Sequence, residues 1–185
     1  EILQQTFQAN DVEIDRALTE FDQLLNSTNI RIQNSGPEVG VVSDSLIAVI
    51  REIDFVNLNL VRGADGSAQD LSLISSEVRN LLLEYSAVYK TYKQLEQNVK
   101  SLSLKLRENH QQYVSLLTQG SYEETFTIED HNVFPSDYPG WLSDRNNQNI
   151  SVEIKWKTRV SIEGLNKLKE INDVILQTVW NKLYQ

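Results

Sequence analysis

The fold of this chain is decided by residues 71–116, which read LSLISSEVRNLLLEYSAVYKTYKQLEQNVKSLSLKLRENHQQYVSL. Apolar and aromatic residues recur there in alternating steps of three and four, which places them on one face of a single helix. The stripe consists of Leu71, Ile74, Val78, Leu81, Tyr85, Val88, Tyr92, Leu95, Val99, Leu102, Leu106, Asn109, Tyr113 and Leu116. The predicted helix has about 50 residues and is about 70 Å long at roughly 1.5 Å per residue. It therefore needs partner helices along its length.

Three further helices are predicted from the same periodicity. Helix 1 covers about 2–33, and Ser35-Gly36-Pro37 ends it. Helix 2 covers about 38–62, helix 3 is the long one and ends near Gly120, and helix 4 covers about 162–184. The helix 1 stripe consists of Phe7, Ile14, Leu18, Phe21, Leu25 and Ile32. The fold class is therefore mainly α, an elongated antiparallel helical bundle or coiled coil.

A β-hairpin is predicted between helices 3 and 4. Apolar and polar residues alternate over 122–128 and again over 152–157, which is the period of a strand with one apolar face. Phe126 and Trp156 would form a small core under this hairpin, and an Asn/Gln-rich connector with Pro135 and Pro139 would join its strands. The predicted domains are a bundle of residues 1–120 and 161–185 and an insertion of residues 121–160.

Composition excludes several classes of function. The 185 residues carry a net charge of −9 with a pI of about 4.7. This argues against binding to nucleic acid or anionic membrane, since both rely on basic residues. The chain has no cysteine, which excludes disulfides, thiolate metal sites and a cysteine nucleophile. The sequence has no run of about 20 apolar residues, so it predicts no membrane-inserted helix.

No constellation in the sequence predicts an enzyme, a cofactor or a metal site. His110 lies beside the helix 3 stripe, and His131 lies near acids that follow no ligand spacing. Tyr85, Tyr89 and Tyr92 indicate either helix packing or a ligand pocket between helices. Asn109 either fixes the register of a buried seam or marks the point where the seam opens.

Binding to another protein is the function that the pattern favours. Helix 4 is predicted to be about half as long as helix 3, so the second half of helix 3 would need a second chain or another protein as cover. The predicted partner seam is Leu95, Val99, Leu102 and Leu106. Phe134, Tyr138 and Trp141 lie in the connector and are predicted either to be binding anchors or to cap the end of the bundle. The alternative is an extracytoplasmic module, either a receptor's sensor bundle or a secreted tip or adhesin-type protein.

Overall fold

The computed structural model describes residues 2–50, 55–60, 75–115 and 134–183, and every structural statement below concerns these residues. They form five helices: α1 (Ile2–Gln33), α2 (Asp44–Ile50), α3 (Ser76–His110), α4 (Tyr138–Ser143) and α5 (Arg145–Leu183). No strand occurs within the described ranges. No helix found there is long and apolar enough to cross a membrane.

Helix α1 covers the predicted range, but its buried face differs from the predicted one. The buried residues recur in steps of three and four: Phe7, Asn10, Ile14, Ala17, Phe21, Leu24, Thr28 and Arg31. Leu18, Leu25 and Ile32, which belong to the predicted helix 1 stripe, are only half-buried. The buried face includes three polar side chains, so apolar residues alone do not mark it.

Helix α3 is shorter than predicted and is also buried on a shifted face. It has 35 residues, and a turn follows it at 111–114. Leu82, Glu96, Ser103 and His110, which flank the predicted stripe, are buried. Leu81, Val88 and Leu95 of the stripe are only half-buried. Asn109 is half-buried next to the last helical residue, which favours the opening of the seam over a register-fixing role.

The predicted β-hairpin is wrong, because its second strand is part of α5. The buried residues of α5 include a continuous three-four series: Asn147, Ser151, Ile154, Thr158, Ser161, Leu165, Leu168, Asn172 and Ile175. Four of the first five are polar, so the helical period is hidden when only apolar residues are counted. Ile154 is buried while Val152 and Trp156 are exposed, so Trp156 is not in a hairpin core. The first predicted strand, with Phe126, lies outside the described residues.

Predicted helix 2 is also largely wrong. Among the described residues of this range, Asp44–Ile50 are helical, whereas residues 38–43 and 55–60 form neither helix nor strand. Val56 and Leu58 are buried whereas Asn57 and Asn59 are exposed, which is the period of two that an extended chain shows. An extended segment therefore follows where a helix was expected.

The chain divides into two compact units. Unit 1 comprises Glu1–Gln23, Val56–Asn98 and Lys157–Gln185, and unit 2 comprises Leu24–Phe55 and Val99–Trp156. Parts of the long helices pack together as a helical bundle in each unit. In unit 1 the ring of Phe7 meets that of Tyr85 edge-on at 5.2 Å between centroids, and Asn172 donates to the Phe7 carbonyl at 3.1 Å. The predicted domain boundaries at 120 and 161 stay a prediction.

Candidate interaction surfaces

The predicted partner seam lies on α3, and most of it is already buried. Val99, Leu102 and Leu106 are buried within the single chain, and Leu95 is half-buried. The seam was inferred from a helix 4 half as long as helix 3, but α5 has 39 residues against 35 in α3. A seam through these residues would require the bundle to open. It stays a prediction.

The three predicted loop anchors have different environments. Phe134 is 84% exposed, Tyr138 is half-buried, and Trp141 is fully buried. Only Phe134 therefore has the accessibility that an anchor needs. Trp141 has the burial expected of a residue that folds back into the bundle.

Trp141 is held in unit 2 by aromatic and cationic side chains. The His110 ring meets its indole edge-on, with 4.7 Å between centroids, and the Arg31 guanidinium lies 5.6 Å from the indole centroid. Asn147 donates from Nδ2 to the Trp141 carbonyl at 3.1 Å. The short helix α4 is thereby joined to α1, α3 and α5.

The segment around α4 is ordered by a helix cap and by backbone bonds. Asp137 caps the helix, with its carboxylate accepting from the Gly140 N–H at 2.8 Å. A Cβ at position 140 would overlap that carboxylate, so the cap requires glycine there. The Asp137 N–H also donates to the Tyr113 carbonyl at 2.7 Å, and the Tyr113 hydroxyl donates to Asp144 at 2.7 Å. These bonds fix the chain just after Phe134.

The electrostatics of this cluster favour a neutral imidazole. Burial, with smaller contributions from the nearby charges of Arg31 and Arg107, lowers the pKa of His110 to about 4. Burial also lowers the pKa of Arg31 to about 10, so its guanidinium stays charged at neutral pH. His110 thus packs as an uncharged aromatic ring beside a cation. His131, the other histidine, lies outside the described residues.

An exposed apolar pair on α5 was missed by the sequence analysis. Trp156 is 59% exposed and Val152, one turn earlier, is 50% exposed. Neighbours at i and i+4 lie on the same face of a helix. The assignment of residues 152–157 to a strand concealed this pair, since it placed Trp156 in a core.

A second feature that was missed is a polar clamp in unit 1, formed by Arg16 of α1 with Lys93 and Glu96 of α3. Glu96 accepts from the Leu58 N–H at 3.1 Å, and Lys93 donates to the Leu58 carbonyl at 3.4 Å. Arg16 donates to the Asn57 carbonyl at 2.6 Å. The clamp thus binds extended backbone through side chains. In the sequence its only trace was an acidic residue, Glu96, beside the predicted stripe.

Tyr85 and Tyr92 pack as core residues. Both are buried, and the Tyr92 ring meets that of Phe21 edge-on at 6.4 Å between centroids. Burial raises the pKa of both phenols, which keeps them protonated. Within the described ranges no group of three or more His, Asp or Glu side chains is placed to bind a metal ion.

Comparison with known proteins provides no relative: no family model, curated protein or solved structure matches this chain.

Proposed function

We propose that this chain is a non-catalytic structural module that binds protein, either a second copy of itself or a separate partner. The observation that carries the proposal is the exposed pair Val152 and Trp156 on α5, with the exposed Phe134 as a further contact in unit 2. Tryptophan is among the residues most enriched at the energetic centres of protein interfaces.

Burial of Trp156 alone would contribute usefully to association. Aromatic side chains bury about 150–250 Å² each, so its 59% exposed fraction leaves roughly 100–150 Å² to be covered, worth roughly 3 kcal/mol at ~25 cal/mol per Å². Association itself is opposed by lost translational and rotational freedom. One tryptophan is therefore an anchor that needs further apolar contacts, for which Val152 on the same helix face and Phe134 elsewhere in unit 2 are the candidates.

The charge of the surrounding helix favours an acidic partner. Residues 145–159 carry four basic side chains and one acidic side chain, within a chain whose net charge is −9. Opposite charges speed encounter and align partners. A second copy, whose remaining surface is strongly acidic, meets this requirement, as does a separate acidic protein.

Self-association is tested by measuring absolute mass by light scattering over a tenfold dilution series. We expect wild-type mass above 21.2 kDa at the high end of the series and a shift toward 21.2 kDa when Val152 and Trp156 are both changed to Ser. The matched control is Leu83→Ser, since Leu83 is 65% exposed but lies in unit 1. It should keep the wild-type mass.

A separate partner is tested by placing a photoreactive amino acid at position 152 in cells that make the protein. We expect crosslinked adducts from position 152 and few from position 83. A strictly monomeric chain that also gives equal crosslinking at the two positions would contradict the proposed function.

A further inference from the structure

The extended segment 56–60 is bound in unit 1 in the way that a peptide is bound. Its backbone is contacted at three atoms by the clamp: the Asn57 carbonyl, the Leu58 N–H and the Leu58 carbonyl. Val56 and Leu58 are buried while the intervening Asn57 is exposed. Main-chain hydrogen bonds with pockets for alternate side chains are the common means of recognising an extended peptide.

The clamp is sequence-neutral except at two positions. Its hydrogen bonds go to the main chain, which every residue but proline can offer in full. Selectivity therefore comes from the sites that bury Val56 and Leu58. Any extended segment with apolar residues two positions apart has the chemistry to occupy the same place.

The clamp residues also support one another without the segment. Lys93 forms an ion pair with Glu96 one turn along α3. Arg16 forms ion pairs with Glu13 and Glu20 on α1, and these bonds raise the pKa of Arg16. The positions of the three side chains are therefore set within their own helices.

We propose that the clamp formed by Arg16, Lys93 and Glu96 is a docking site for an extended apolar–x–apolar segment of a partner protein, and that segment 56–58 occupies it as an internal mimic. The inference rests on the proposed protein-binding function and names the chemistry of the partner. Because a tethered segment competes at an effective concentration of the order of millimolar, the internal mimic makes docking conditional on a partner segment that binds better or is present in excess.

The test supplies the segment in trans as a synthetic peptide of residues 56–60, Val-Asn-Leu-Asn-Leu, carrying a fluorophore. Fluorescence anisotropy should show at least tenfold tighter binding to the variant Val56→Ser/Leu58→Ser than to the wild type. A peptide with serine at the same two positions should not bind. If the double variant loses its helical circular dichroism, the milder variant Leu58→Ala is used in its place.

Clamp chemistry is tested by adding Arg16→Ala to the segment variant. We expect peptide affinity to fall at least fivefold. The control is Lys90→Ala, which removes an exposed cation of α3 outside the clamp and should leave the affinity unchanged. A helical variant that fails to bind the peptide, or that binds the serine peptide equally well, overturns the inference. That failure would leave crosslinking from position 152 intact, so it is distinguishable from failure of the proposed function.

Discussion

Acidification from pH 7 to pH 5 should lower the unfolding free energy by about 2 kcal/mol through one side chain, His110. The imidazole is buried beside Trp141, and burial lowers its pKa to about 4 from the ordinary value of 6.5. At pH values between about 4 and 6.5, this imidazole binds a proton in the unfolded chain but not in the folded chain. Stability is therefore lost as the pH falls from 6.5 toward 4. At pH 5 about 1.5 pH units of this window have been crossed, at about 1.36 kcal/mol each.

The assay compares urea unfolding of the wild type and of His110→Gln at pH 7, 6 and 5. Both proteins contain the same 26 acidic residues and the same His131, so the difference between their pH dependences isolates His110. Fluorescence of Trp141, which contacts His110, reports on the surroundings of the imidazole. The other two tryptophans, Trp156 and Trp180, are changed to Phe in both proteins so that Trp141 alone is observed.

Equal pH dependences in the two proteins would refute the reasoning, because His110 would then titrate alike in the folded and unfolded chains. A wild type that gains stability relative to the variant on acidification would show that the imidazolium is stabilised in the folded state. Either result would mean that the ring is not desolvated beside the cations Arg31 and Arg107.

Two matched comparisons and one single variant test the packing by urea unfolding. Leu82→Ala should cost about 2–5 kcal/mol and Leu83→Ala less than about 0.5 kcal/mol, since the two are 5% and 65% exposed; equal losses would contradict the shifted face of α3. Trp141→Ala should cost about 3–5 kcal/mol and Phe134→Ala less than about 0.5 kcal/mol, and a stable Trp141→Ala would return that residue to the class of surface anchors. Thr158→Val should stabilise by about 1 kcal/mol because it removes a buried hydroxyl that has no hydrogen-bond partner; destabilisation would show that the hydroxyl is bonded.

The existence of the long helices could be predicted from the sequence, but their inward faces could not. Periodicity located α1 over its full observed length, since Phe7, Ile14 and Phe21 do lie in its core. Hydrophobicity then misassigned the neighbouring positions, because Leu18 is half-buried while Ala17 and Thr28 are buried. A small or polar side chain gives no hydrophobic signal even where the helix buries it.

The failures at α5 and at segment 55–60 have separate physical causes. In α5 the polar residues Ser151 and Thr158 occupy buried positions, so the apolar residues that remained imitated a strand. In segment 55–60 a helical spacing of apolar residues was present, but the clamp satisfies the Leu58 backbone in an extended conformation. Neither polar burial nor a tertiary contact across 38 positions can be read from a local pattern.

The placement of buried and exposed residues on α5 favours a role other than folding for its exposed apolar pair, Val152 and Trp156. Ser151 is buried and Val152, the next residue, is 50% exposed. Exchange of these two side chains would bury more apolar surface and would remove a buried hydroxyl that has no hydrogen-bond partner. Sequences that specify a fold usually place such residues the other way round, and departures from that rule concentrate at functional sites. Trp156 is likewise a large apolar residue at an exposed position, on the same helix face as Val152. The proposed contact surface is therefore centred on this pair.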